Sequence, residues 1–204
     1  MTITQERFEQ GMTYAQYVLQ MEQNRDLLME SERNVRLQRA DVDFFSGLPN
    51  LLYVLVLTED WCRPACRSLP VLARLVAESG KLQLRIFLRD QNLNIMDQYL
   101  KDGVHRTIPT FVFFDHEFRE LGRWHELPAK IEEMMDTMET ELFTTDPAFA
   151  ALSMELSFGE LPEQAQERIR EAYREFWINN QQRFNDEVAL EIHEVVERGL
   201  ASNA

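Results

Sequence analysis

Seven consecutive apolar residues, Leu51-Leu52-Tyr53-Val54-Leu55-Val56-Leu57, constrain this chain more than any other stretch. The run is rich in strand formers, and a strand apolar on both faces has to be covered on both faces, as in the middle of a mixed or parallel sheet. Directly after it comes Thr58-Glu59-Asp60-Trp61-Cys62-Arg63-Pro64-Ala65-Cys66-Arg67-Ser68-Leu69-Pro70. Leu72, Leu75 and Val76 then recur at helical spacing, and Gly80 closes the segment. The two cysteines of the sequence, Cys62 and Cys66, therefore fall where a buried strand turns into a helix. The first free N–H groups of a helix favour an anion, and the anionic thiolate is the reactive form of cysteine.

The remaining pattern is α/β. Residues 81–89 alternate apolar and polar and then become apolar, which predicts a second strand and, with the helix between, a right-handed parallel crossover. A short helix is expected over residues 92–101, ended by Gly103. Strands are expected at 110–115 and 118–124, with Asp115-His116-Glu117 as the turn. Pro128 suits the first turn of a helix whose apolar positions are Ile131, Met134, Met135 and Met138. Upstream, residues 4–40 read as two helices, the second capped by Asn24 or Asp26 and reaching about Gln38. Residues 41–50, with Gly47 and Pro49, read as a connection. A broad apolar stripe from Ile169 to Val195 predicts a C-terminal helix starting near Pro162. Unbroken to Arg198 it would be about 54 Å long, so a break near Asn179-Asn180-Gln181-Gln182 or cover from a second copy of the chain is expected.

The segment Trp61-Cys62 after an apolar strand, with Pro70 eight residues beyond the cysteine, resembles the active-site segment of the thioredoxin family. A second piece matches: Arg89-Asp90-Gln91-Asn92, then Gly103-Val104-His105-Arg106-Thr107-Ile108-Pro109-Thr110 opening an apolar strand. The resemblance covers roughly residues 42–140. It implies a thioredoxin-like mixed β-sheet flanked by helices, with an N-terminal helical arm (1–41), the core domain (42–142) and a C-terminal helical extension (143–204). It also implies a cis peptide bond before Pro109, facing the reactive cysteine. The pattern departs from the family in one respect, because the cysteines are spaced Cys62-x-x-x-Cys66 rather than Cys-x-x-Cys. Cys62 then stands in the nucleophile's place, Ala65 in the resolving position, and Cys66 one residue late. Val56 stands where many members keep a buried acid.

Read this way, the chain is expected to be a thiol–disulfide oxidoreductase. Cys62 is the nucleophile, Cys66 a candidate resolving thiol, and Trp61, Ile108 and Pro109 bind substrate. The substrate would be a protein or a low-molecular-weight thiol or disulfide, with no cofactor. Two other readings stand beside it. One is a non-catalytic thioredoxin-fold interaction module. The other is a Cu(I) site, since soft thiolates suit that ion, with His105 as the nearest further ligand. The formal net charge of −14 disfavours nucleic acid and anionic membrane as partners. No apolar run approaches a membrane span and residues 1–7 carry no leader core, so a cytoplasmic protein is expected. A homodimer through the C-terminal helix is the alternative to that helix folding back.

Overall fold

The computed structural model describes residues 3–150 and 152–203. Strands β1 (Leu52–Thr58), β2 (Leu82–Leu88), β3 (Thr110–Phe114) and β4 (Glu120–His125) form one sheet in the order β2-β1-β3-β4. β1 pairs parallel with β2, Val54 opposite Leu84, and antiparallel with β3, Leu55 opposite Val112. The seven-residue apolar run is thus an interior strand, and every residue of β1 except Tyr53 is buried. Leu55 and Leu57 pack with Phe8, Phe87, Ile95, Met96, Tyr99, Val112 and Phe114. Val54 and Val56, equally buried, alternate to the opposite face.

Around this sheet the chain places α1 (Gln5–Glu9), α2 (Tyr14–Gln20), α3 (Arg25–Asn34), α4 (Arg39–Ser46), α5 (Arg63–Ser79) and the one-turn α6 (Leu93–Met96). The expected mixed α/β architecture is present. Three local expectations fail. The two helices expected over residues 4–40 are three, α1 to α3, and the last ends at Asn34 instead of near Gln38. Residues 41–50 are not a simple connection, because α4 occupies 39–46, with Val42 and Phe45 buried three residues apart and Gly47 capping its end. The helix expected to reach Lys101 stops at Met96. Beyond it the N–H groups of Gln98 and Tyr99 reach back only three residues, and Asp102 and Gly103 both take left-handed backbone. The arm also closes the exposed edge of the sheet: Met12 and Ile86 exchange two backbone hydrogen bonds of 2.8 Å, pairing β2 on its outer side.

The chain divides into two compact units, one running up to Leu127 and resuming at Asn185, the other Pro128–Phe184. The second unit holds α7 (Ala129–Thr145) and the start of α8 (Glu163–Ser202). Its small core is Phe149, Leu161 and Ala165, and Tyr173 donates to Glu139. Met134, Met135 and Met138 are only half-buried, whereas Ile131 is buried. α8 runs 40 residues without the break expected near 179–182.

Within the first unit, the end of α8 lies against β4. The Trp124 indole donates to Glu191 at 2.6 Å, and His193 Nδ1 is 3.1 Å from the Asp41 carboxylate. Gly199 makes the close approach possible: a Cβ there would lie 2.2 Å from the Leu121 carbonyl oxygen. Gly199→Ala is therefore expected to cost about 1–3 kcal/mol through overpacking and to lower Tm by about 3–10 °C. Gly159→Ala, where an added Cβ meets nothing within 4 Å, should leave Tm nearly unchanged. Thermal melts of the two variants check this.

Candidate functional site

β1 ends at Thr58, and the next four residues each take a different task. Glu59 is buried, and its carboxylate accepts the Asp90 N–H at 2.7 Å, which joins the end of β1 to the turn after β2. Burial pushes the Glu59 carboxyl above its ordinary pKa. The Asp60 carboxylate turns the other way and accepts the N–H groups of Glu22 (2.7 Å) and Gln23 (3.1 Å) in the arm. Asn24, whose left-handed backbone sits between α2 and α3, donates from its side chain to the Asp60 carbonyl at 3.0 Å. Trp61 is 43% exposed, with the Arg89 guanidinium 5.1 Å from its ring centre. Arg89 is held there by Asp90 (2.8 Å) and by the Arg106 carbonyl (3.3 Å).

Cys62 is the N-cap of α5, with extended backbone (φ −78°, ψ 99°), and Pro64 sits in the first turn, where it forfeits no hydrogen bond. Cys62 is only 5% exposed. Its S–H donates to the Ile108 carbonyl, 3.4 Å away across 46 residues of sequence. The Ile108–Pro109 peptide is cis. The loop carrying it is tied down: Thr110 Oγ1 donates to the Thr107 carbonyl (2.9 Å) and lies 2.8 Å from His125 Nδ1, while the Glu126 N–H donates to the Pro109 carbonyl (2.8 Å). Cys62, Trp61, Ile108 and Pro109 are thereby brought to one place.

Cys66 lies one turn into α5 and has no exposed surface. Both thiols are free. The Cys66 N–H donates to the Cys62 carbonyl at 3.2 Å, the first helical hydrogen bond, and its sulfur faces the Asp60 carbonyl at 4.0 Å. Tyr17 of α2 is fully buried, its hydroxyl near Thr58 and electrostatically close to Cys66. Sequence reasoning missed this neighbour, along with the Asp60 clamp and the Glu59 link. The two acids were legible only as charges beside a thiol. Their hydrogen bonds run to backbone N–H groups, which leave no mark in side-chain pattern.

The electrostatics of the buried thiols do not favour the thiolate. Burial raises the Cys62 thiol to about 11, although the Ala65 N–H and the Arg89 charge pull the other way. Burial likewise takes Cys66 up to about 12. His105 is exposed on its loop, and among the described residues no group of three or more His, Cys, Asp or Glu side chains is placed to hold a metal ion. Among those residues, too, no helix is long and apolar enough to cross a membrane.

Comparison with known proteins bears on the same region. A family model described as thioredoxin matches residues 11–139. A curated relative, O-methyltransferase 12 of Dictyostelium discoideum, is 26% identical over 115 residues, 55% of this chain but only 30% of that protein. The fold is similar to a 1.5 Å crystal structure of a protein of unknown function from Pseudomonas aeruginosa (TM-score 0.65, 16% identity, 97% of this chain and 98% of that one). It is also similar to the crystal structure of an HIV epitope-scaffold (TM-score 0.63, 17% identity, 94% and 96%).

The raised thiol has a measurable consequence. With a pKa of about 11, roughly one Cys62 in ten thousand is thiolate at pH 7, and only the thiolate is alkylated. The Cys62 alkylation rate should therefore keep rising about tenfold per pH unit past pH 9, where an unshifted thiol levels off. Iodoacetamide kinetics with peptide mapping from pH 6 to 11 check it. Cys66 should lag behind at every pH.

Proposed function

The chain belongs to the thioredoxin family, and on that premise we propose that it is a thiol–disulfide oxidoreductase with Cys62 as its nucleophile. One observation carries the reading: the Cys62 sulfur stands at the start of α5 and 3.4 Å from the carbonyl of Ile108, beside Pro109. A substrate disulfide entering along that loop would pair its backbone with the Ile108 edge and displace the S–H from its carbonyl. Trp61, exposed and braced by Arg89, offers a flat contact beside the sulfur. The thiolate attacks one substrate sulfur, the other leaves as a thiolate, and Cys62 is left in a mixed disulfide. Release of the S–H from Ile108, the Ala65 N–H and the Arg89 charge all favour the thiolate in this step. Cys66 is the candidate second thiol of the site. A cytoplasmic location, and a protein or small-molecule disulfide as substrate, belong to the same proposal.

A second reading has its own observation. Both thiols are buried and held protonated, which suits a non-catalytic module that binds partners through Trp61 and the proline loop. Reduction of insulin by dithiothreitol separates the two. An oxidoreductase should accelerate precipitation, and Cys62→Ser should return the rate to the uncatalysed background. A Cys62→Ser variant as active as the unaltered chain, or no acceleration by either, would leave the binding module as the better reading.

A further inference from the structure

We infer that the mixed disulfide on Cys62 is resolved by an external, anionic low-molecular-weight thiol of the glutathione class and not by Cys66. The inference rests on the oxidoreductase reading and adds the identity of the second thiol.

Two independent sets of observations carry it. The first concerns why Cys66 does not reach. The Cys66 N–H donates to the Cys62 carbonyl at 3.2 Å, so the backbone between the two cysteines is already closed into a helical turn. Cys62 has extended backbone at the helix start (φ −78°, ψ 99°), and its side chain is turned to the proline loop. The two sulfurs also face different neighbours, Cys62 the Ile108 carbonyl and Cys66 the Asp60 carbonyl. Nor is the turn free to adjust. Asp60 is clamped to the arm by three hydrogen bonds, from Glu22 N–H, Gln23 N–H and the Asn24 side chain, and the buried Tyr17 of the same arm is electrostatically close to Cys66. Bringing the sulfurs together requires this arm to be released.

The second set concerns what does reach. The sulfur attacked in an external resolution is the substrate's, which lies outside the protein, so the burial of Cys62 does not obstruct it. The incoming thiolate attacks that sulfur, a new disulfide forms between thiol and substrate, the bond to Cys62 breaks, and Cys62 departs as thiolate. One thiolate is consumed and one released at each of the two steps, and the protein ends unchanged. The residue that follows Cys62 in the chain, Arg63, opens α5 and is exposed, without an ion pair or hydrogen bond among the described residues. The neighbouring guanidiniums are engaged, Arg89 with Asp90 and Arg106 with Asp97 through two bonds of 2.6 and 2.9 Å. In a chain of net charge −14, an unengaged arginine next to the reactive cysteine suits a thiol that carries a carboxylate.

The test uses the unaltered chain with glutathione. After treatment with oxidised glutathione, peptide mass mapping is expected to find one glutathione on Cys62 and a free thiol at Cys66, and turnover of a test disulfide should depend on glutathione concentration. Arg63→Glu should lower the ratio of kcat/KM with glutathione to kcat/KM with uncharged 2-mercaptoethanol by about five- to tenfold, the scale of an exposed ion pair reversed. A Cys62–Cys66 disulfide as the oxidised product overturns the inference while leaving the oxidoreductase reading intact. An unchanged ratio in Arg63→Glu overturns the assignment of Arg63. No adduct and no turnover with either thiol overturns the oxidoreductase reading itself.

Discussion

An interior strand with no exposed face organises this molecule. β1 can be buried only if β2 and β3 flank it and helices cover both sides, and the chain supplies these from both directions in sequence. Its C-terminal end is therefore a fixed point in the core, and the next residues emerge at a defined place. These are Glu59-Asp60-Trp61-Cys62, which hold respectively the turn after β2, the N-terminal arm, a cation on the surface, and the proline loop. The cysteine is positioned by three segments far apart in sequence, each meeting the same short stretch.

That arrangement explains why the two cysteines, so close in sequence, are chemically unlike. Cys62 sits at the helix start and faces the proline loop through the Ile108 carbonyl. Cys66 sits one turn further in, close to the buried Tyr17, with its sulfur toward the carbonyl of Asp60, whose carboxylate holds the arm. Cys66, one residue later than the second cysteine of Cys-x-x-Cys, is fully buried within α5. Both thiols are costly to ionise there, because the dielectric cost of burial exceeds what the Ala65 N–H and Arg89 return. In the proposed oxidoreductase reading, a substrate that draws the S–H away from Ile108 would make Cys62 a usable nucleophile.

Much of the core was legible in the sequence because its signals are local. The apolar run 51–57, the helical spacing after Cys62, Gly80 as the left-handed end of α5, and Pro109 opening β3 are each readable from a few neighbouring residues. The failures are of the opposite kind. α4 was hidden by Gly47 and Pro49, which mark its end rather than its absence. The helix after Asn92 was read too long, because nothing in Tyr99-Leu100-Lys101 announces the left-handed pair Asp102-Gly103. The site itself was half legible: Cys62, Trp61, Ile108 and Pro109 could be named. The burial of Cys62 and the arm clamped to Asp60 arise from packing across tens of residues, for which a single sequence carries no pattern.

The claim that Cys62 reacts while Cys66 stays sealed is open to one direct measurement. With cysteine labelled at 13Cβ, NMR spectra across a series of glutathione redox buffers track each sulfur separately, since the Cβ resonance moves when a thiol becomes a disulfide. The predicted result is a shift of Cys62 alone, with Cys66 remaining in the thiol range throughout. Concerted movement of both resonances at one midpoint would mean that the sulfurs pair with each other, and would contradict this division of roles.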